Sequence, residues 1–336
     1  MVLEHWSKKN PTLICRKSEN FEIKLRGLPQ MANPQDDISQ VVILLEANPY
    51  FWGERISRAA NSAETTGFTF DRFLEHVLLF INSLFLLNQA NRVVVIATGA
   101  TSCAYLYDSQ ASEVAANART ARAVKKQSVV EKITQKLEDF MSKEAVCDLN
   151  QGMEDTRYSL LSGSLSMALC YIQKVLRGAP PHPRPRILCL QGSPDAPPQY
   201  VTLPYIAIMN AIFSAQRSLV PIDACLVGDQ PSAFLQQATH ITGGIYQKPS
   251  TPEGLFEYLA MVFATDLYSR KFLQLPGASG VDFRASCFCH KKSIDMGFVC
   301  SVCLSIFCKG QRTCTTCNAN FAPNKPSATG QKPKAS

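Results

Sequence analysis

No stretch of this 336-residue chain is both long enough and apolar enough to cross a membrane. The most hydrophobic stretch, Phe73 to Leu87, is interrupted by Glu75, His76, Asn82 and Ser83, so it reads as a buried helix and not as a span of about twenty apolar residues. The opening Met1-Val-Leu-Glu-His-Trp-Ser-Lys-Lys has neither an apolar h-region nor a small-residue cleavage site, so secretion is not expected. There is no internal repeat, which excludes stacked-repeat architectures. There is no GxGxxG and no P-loop, and Gly243-Gly244 alone signals a turn. Ser162-Gly163-Ser164-Leu165-Ser166-Met167 lacks the second glycine of a nucleophile elbow and sits in a helical pattern, so a small-residue helix packed closely on a sheet is expected. His5, His76, His182 and His240 are scattered and read as surface or satisfied core histidines. Cys170, Cys189 and Cys225 lie in apolar segments with nothing cationic beside them, which suits buried structural thiols rather than nucleophiles.

What the chain does have is a cysteine cluster. Seven of its thirteen cysteines fall between Cys287 and Cys317. In a reducing compartment such clusters bind metal more often than they form bridges. Two residues between cysteines make a knuckle that presents two thiolates to one ion, and two knuckles complete the tetrahedron that structural zinc prefers. Cys300-Ser-Val-Cys303 and Cys314-Thr-Thr-Cys317 are two such knuckles, with ten residues between them. They predict one zinc. Cys287, Cys289, His290 and Cys308 flank and interleave with that set, as in a cross-braced two-zinc module of RING type, and form the candidate second site. Cys308 has no knuckle partner of its own, and free thiols packed against the first site are the alternative. Residues 287–317 carry few large apolar side chains, so a zinc contribution on the order of 10–16 kcal/mol makes up for the missing core. No HExxH-type helix or nearby general base suggests a catalytic metal.

Charge and aromatics add little that is specific. The formal charge is +7, and two filled zinc sites, at −2 and −1, would lower it to about +4. Basic residues sit partly at the ends of the chain, as solvated tails do. Phe283, Phe288, Phe298 and Phe307 bracket the zinc ligands with few cations nearby (Arg284, Lys291, Lys292, Lys309, Arg312), which favours a small core and a protein interface over base stacking.

Periodicity predicts an α/β domain. Val41 to Leu45 is a continuous apolar run, as in a strand buried on both faces. Strands are also predicted over Arg92 to Ala97, Arg186 to Leu190 and Ile222 to Val227, with a short one at Tyr246. Helices are predicted over Phe70 to Asn88, Val129 to Met141, Leu160 to Leu176, Tyr205 to Arg217, Ala233 to Thr239 and Leu255 to Ala264, and residues 99–123 read as a small-residue loop. Strand–helix alternation of this kind gives a parallel sheet with helices on both faces. Residues 1–38 read as a disordered extension, 39–275 as the α/β domain, 276–286 as a linker, 287–320 as the zinc module and 321–336 as a disordered tail.

Glu46-Ala47-Asn48-Pro49-Tyr50 ends the first strand, and Ile241-Thr242-Gly243-Gly244-Ile245-Tyr246 ends a later helix. These occupy the positions of the metal-binding DxSxS loop and the last helix–strand turn of a von Willebrand factor A domain. With the tail Cys-Phe-Cys-His, Gly-Phe-Val-Cys-Ser-Val-Cys-Leu-Ser-Ile-Phe-Cys and Cys-Thr-Thr-Cys, residues 38–320 resemble the family of the smaller von Willebrand A/zinc-finger subunit of general transcription factor IIH. The resemblance implies a von Willebrand A-like, Rossmann-type fold. It also implies a nuclear, non-enzymatic core subunit that pairs with the larger von Willebrand A/zinc subunit and other core subunits. That complex serves RNA polymerase II initiation and nucleotide excision repair, and its ATPase, helicase and kinase activities belong to other subunits. In the family, Cys300, Cys303, Cys314 and Cys317 are the four-cysteine zinc finger. The adhesion-type loop departs from the family of metal binders: Glu46, Asn48 and Tyr50 stand in place of Asp, Ser and Ser, and Gln191-Gly192-Ser193 brings no immediate Asp. Mg²⁺ is not expected there. The rival readings are a RING-like ubiquitin ligase component and a sequence-independent nucleic-acid-binding zinc protein. In the main reading, nucleic acid is met at most indirectly or weakly.

Overall fold

The strand Ser39–Glu46 (β1) is buried from end to end because it is the central strand of a six-stranded sheet. Its alternate side chains serve two cores: Val41, Ile43 and Leu45 enter one, and Val42 and Leu44 enter the other. This explains why the sequence shows a run and not an alternation. Each such side chain, fully buried, contributes about 1.5–3 kcal/mol. A computed structural model of the chain describes residues 38–61, 68–110, 129–149, 158–178, 182–195, 202–276, 281, 285–290, 293–303 and 305–320. All of these fall in the compact unit Pro34–Ser336. Apart from Ile38, the expected N-terminal extension lies outside the described residues, as do the tail 321–336 and most of the expected linker.

In chain order the α/β domain comprises β1, α1 (Pro49–Asn61), α2 (Phe70–Leu87), β2 (Arg92–Thr98), β3 (Cys103–Asp108), α3 (Val129–Leu149), α4 (Leu161–Leu176), β4 (Arg184–Gln191), α5 (Thr202–Arg217), β5 (Ile222–Leu226), α6 (Ala233–Thr242) and β6 (Tyr246–Gln247). A short helix, α7 (Leu255–Tyr258), then continues as π-helix over Leu259–Phe263. The sheet order is β3-β2-β1-β4-β5-β6. All pairs are parallel except β2–β3. Helices α1, α2 and α3 and the segment 255–263 cover one face, with Trp52, Phe73, Phe80, Ile133, Leu137 and Phe263 in its core. Helices α4, α5 and α6 cover the other through Leu165, Ala168, Ile172, Ile212, Ala215 and Leu235. The expected von Willebrand A-like sheet with helices on both faces is therefore present.

Three expectations need correction. The loop read after Glu46 is in fact helix α1: Asn48-Pro49 resembles a turn, but proline suits a first helical turn, and Asn48 Oδ1 caps it by accepting the Tyr50 N–H at 3.0 Å. The region read as a loop over 99–123 contains β3, an antiparallel edge strand that makes the sheet mixed. Only one side chain of its middle pair is deeply buried, Leu106 as against Tyr105, so its apolar signal is weak. Cys170, expected to be buried, is exposed on α4, whereas Cys189 and Cys225 are buried as expected. The stop predicted at Thr242-Gly243-Gly244 holds: Gly243 is left-handed (φ 73°) and its N–H reaches Thr239 O.

A buried ionic group ties the end of this domain to the sheet. Arg270 donates to both oxygens of Asp223 on β5, at 2.9 and 2.6 Å, and Asp223 also accepts the Ile245 N–H at 2.9 Å. Arg186 on β4, 1% exposed, donates to Thr265 O at 2.6 Å. Burial pushes the Arg186 guanidinium down to about 10, while Asp223 opposes the shift.

Candidate metal centres

The cysteine-rich module is built from two small antiparallel ladders. β9 (Phe298–Val299) pairs with β10 (Ile306–Phe307), and β7 (Ala285–Ser286) pairs with β8 (Ser293–Ile294). The β9–β10 hairpin carries Cys300 at the end of one strand and Cys308 at the end of the other, so it touches both ligand sets. Cys300 N–H donates to Ser305 O at 2.9 Å, which closes the first knuckle. Cys314 N–H donates to Ala319 O at 2.8 Å, and Asn318, left-handed at φ 57°, returns its N–H to Cys314 O at 2.9 Å. These turns aim backbone N–H groups and thiols inward, where Cys300, Cys314 and Phe307 form a small buried core.

The eight sequence-predicted ligands come together as two groups, and within each group the ligand atoms lie within 4.8 Å of one another. The first holds Cys300, Cys303, Cys314 and Cys317, and the second holds Cys287, Cys289, His290 and Cys308. In the first, Cys300–Cys317 and Cys303–Cys314 sulfurs are 3.7 and 3.6 Å apart. A tetrahedron with Zn–S bonds near 2.3 Å has edges of about 3.8 Å, so this set already has the right span. The second set is tighter: Cys287–Cys289 is 2.8 Å, Cys289–Cys308 is 3.6 Å, and His290 Nδ1 is 3.1 Å from both Cys289 and Cys308. Cys289 and His290, adjacent in sequence, thus both face the centre.

Proton affinity within each group is split. At Cys287, burial opposes ionisation, but hydrogen bonds from Cys289, His290 and Cys308 outweigh it and hold the thiol at about 6. Cys303 is likewise held at about 6, where Ser305 donors outweigh burial. Cys308 is pushed up to about 11 by burial and its thiol neighbours, and Cys317 is pushed up to about 12. Four clustered sulfurs cannot all ionise without a cation among them, and a divalent ion removes that conflict. The donor sets therefore fit zinc.

The carboxyl end of the sheet, between β1 and β4 where the strand order reverses, is the other place to look for a ligand site in a doubly wound fold. Glu46 lies there, buried, with Asn48 and Ser193 beside it. Tyr50 is only half buried in α1. The nearest acid after β4, Asp195, faces elsewhere: it accepts from Ser232 Oγ at 2.6 Å and the Ala233 N–H at 2.7 Å at the start of α6. Sequence reasoning missed Ser159, which enters this centre from the loop before α4. Its only signal was its position ahead of a helix. It also missed Glu144, whose carboxylate pins the turn after β2 by accepting from Ala100, Thr101 and Ser102 at 2.5–3.1 Å.

The family model of transcription factor Tfb4 matches residues 38–318. The chain is 52% identical over 315 residues to the general transcription and DNA repair factor IIH subunit TFB4 of Arabidopsis thaliana, covering 92% of this chain and 99% of that one. It is 33% identical over 347 residues to general transcription factor IIH subunit 3 of Dictyostelium discoideum, covering 86% and 90%. Among solved structures, the TFIIH p34 N-terminal domain superposes with a TM-score of 0.52 at 25% identity, covering 68% of this chain and 99% of that one.

Proposed function

The chain belongs to the transcription factor Tfb4 family, whose relatives are subunits of the general transcription and DNA repair factor IIH, and from that premise we propose that it is a non-catalytic structural subunit of the IIH core complex. In this reading it acts in the nucleus and supports RNA polymerase II initiation and nucleotide excision repair through protein–protein contacts. Its partners are the larger von Willebrand A/zinc subunit and the other core subunits. Residues 39–275 offer helix and loop faces, a linker begins at 276, and the zinc-fixed docking module that follows to 320 opens with β7 at Ala285–Ser286 and not at Cys287, because that strand pairs with β8. Cys300, Cys303, Cys314 and Cys317 hold one zinc, and Cys287, Cys289, His290 and Cys308 hold a second.

The observation that carries the reading is the pair of closed donor sets, each aiming four ligand atoms at one centre. A shell of that kind supplies rigidity and leaves no position for a reacting water. The buried thiols of the sheet domain support a structural role as well: burial pushes Cys225 up to about 12 and Cys189 upward also, away from nucleophilic range.

The test is Cys300→Ser or Cys314→Ser in the full chain. Zinc content is expected to fall, circular dichroism to retain the fold of residues 40–270, and co-purification with the larger subunit to weaken. Intact assembly around a zinc-free tail would overturn the proposal.

A further inference from the structure

At the reversal point of the sheet, a buried carboxyl group stands where an adhesion-type domain would place a cation. Glu46 ends β1 and is 1% exposed. Its Oε2 accepts the backbone N–H groups of Gly192 at 3.1 Å and Ser193 at 2.9 Å, from the loop after β4. Its Oε1 accepts the Asn48 N–H at 3.3 Å and the Ser159 hydroxyl. Ser159 Oγ also lies 2.9 Å from Ser193 Oγ and 3.4 Å from Asn48 Nδ2. Three loops thus converge on one centre, and what they turn toward it is N–H and O–H. The approach is close: a Cβ on Gly192 would sit 2.2 Å from the Phe51 ring, so any side chain there would have to push that ring aside.

Mg²⁺ needs near-octahedral oxygen lone pairs directed at it. Among the described residues, the one carboxylate at this centre has both oxygens committed to hydrogen-bond donors, and the surrounding hydrogens would repel a cation. We propose that the three loops form an anion cradle that Glu46 fills from within, so that this carboxylate ties the loops together as a divalent cation would and leaves no cation through which a partner could be bridged. Burial pushes the Glu46 carboxyl up from its ordinary value, and hydrogen bonds from Ser159, Ser193 and Gly192 oppose that shift. Backbone donors of this kind hold an anion at no reorganisation cost, as in other backbone nests.

The test is thermal unfolding of the full chain with its zinc retained. Millimolar MgCl₂ is expected to leave the Tm of the native protein unchanged, and a rise would overturn the proposal. Glu46→Ala empties the cradle and is expected to lower Tm by about 5–10 °C. Sodium formate should then restore part of the loss, while sodium chloride at the same ionic strength should not. Equal effects of the two salts, or recovery with Mg²⁺, would count against the cradle. Glu46→Gln covers the case in which the alanine variant does not fold. Its amide puts an NH₂ among donors, so its Tm is expected well below native, and a glutamine variant as stable as the native protein would also overturn the proposal.

Discussion

Leu219 sits in the turn between α5 and β5 with φ 54° and is 87% exposed. A branched side chain gains nothing there and strains a left-handed backbone that glycine adopts freely. Leu219→Gly relieves a left-handed cost of about 1–2 kcal/mol against an entropic cost of about 0.5–1 for glycine, so a net gain of about 0.5–1 kcal/mol is expected, read as a higher melting temperature of the α/β domain. Legibility at this scale depended on whether the chemistry was local. Gly243 was readable as a helix stop because a C-cap needs only its neighbours. The partnership of Ser159 with Glu46 was not, because the two are separated by 113 positions and meet only when the loop before α4 folds over the carboxyl end of β1.

At the scale of elements, the ionic clasp between Arg270 and Asp223 decides where the chain goes after α7. Both side chains are almost fully buried, at 9% and 1% exposure. Removing one charge from such a pair leaves the other buried and unpaired, which costs about 3–5 kcal/mol. Asp223→Asn is therefore expected to destabilise the domain by that amount. Hydrogen exchange should rise first over residues 264–276, which the clasp holds, and in Ile245, whose N–H loses its carboxylate. Unchanged exchange there would show that the apolar packing of Leu259 and Phe263 holds the segment by itself. The strong elements were legible, since β1, β2, β4 and β5 are runs buried on both faces. The misses, α1 and β3, have a common cause: each owes its conformation to partners elsewhere. Trp52 of α1 donates its indole N–H to Glu46 O at 3.2 Å and packs against Phe70 and Phe73, while β3 exists by pairing with β2.

For the molecule as a whole, two kinds of stabilisation act in separate parts of the chain. The α/β domain rests on two apolar cores either side of one sheet, whereas among the described residues the cysteine-rich module has a core of only a few side chains. Native mass spectrometry of the intact protein is expected to count two zinc ions. Stripping them with a chelator should make residues 287–320 protease-sensitive while the main unfolding transition stays in place. Cys308→Ser tests how the sets are linked. Because β9–β10 carries a ligand of each, loss of the second ion should weaken retention of the first, and undiminished retention would show that the sites act independently.

The layered α/β class and the eight candidate ligands were legible in the chain alone, because periodicity, knuckle spacing and capping are properties of neighbouring residues. That Cys289 and His290 face one centre together, that Asp195 serves a helix cap, and that Glu46 is enclosed by donors from three loops emerges on folding alone. These are encounters between residues far apart in the chain, and their geometry is fixed by how strands order themselves in the sheet and not by any local preference.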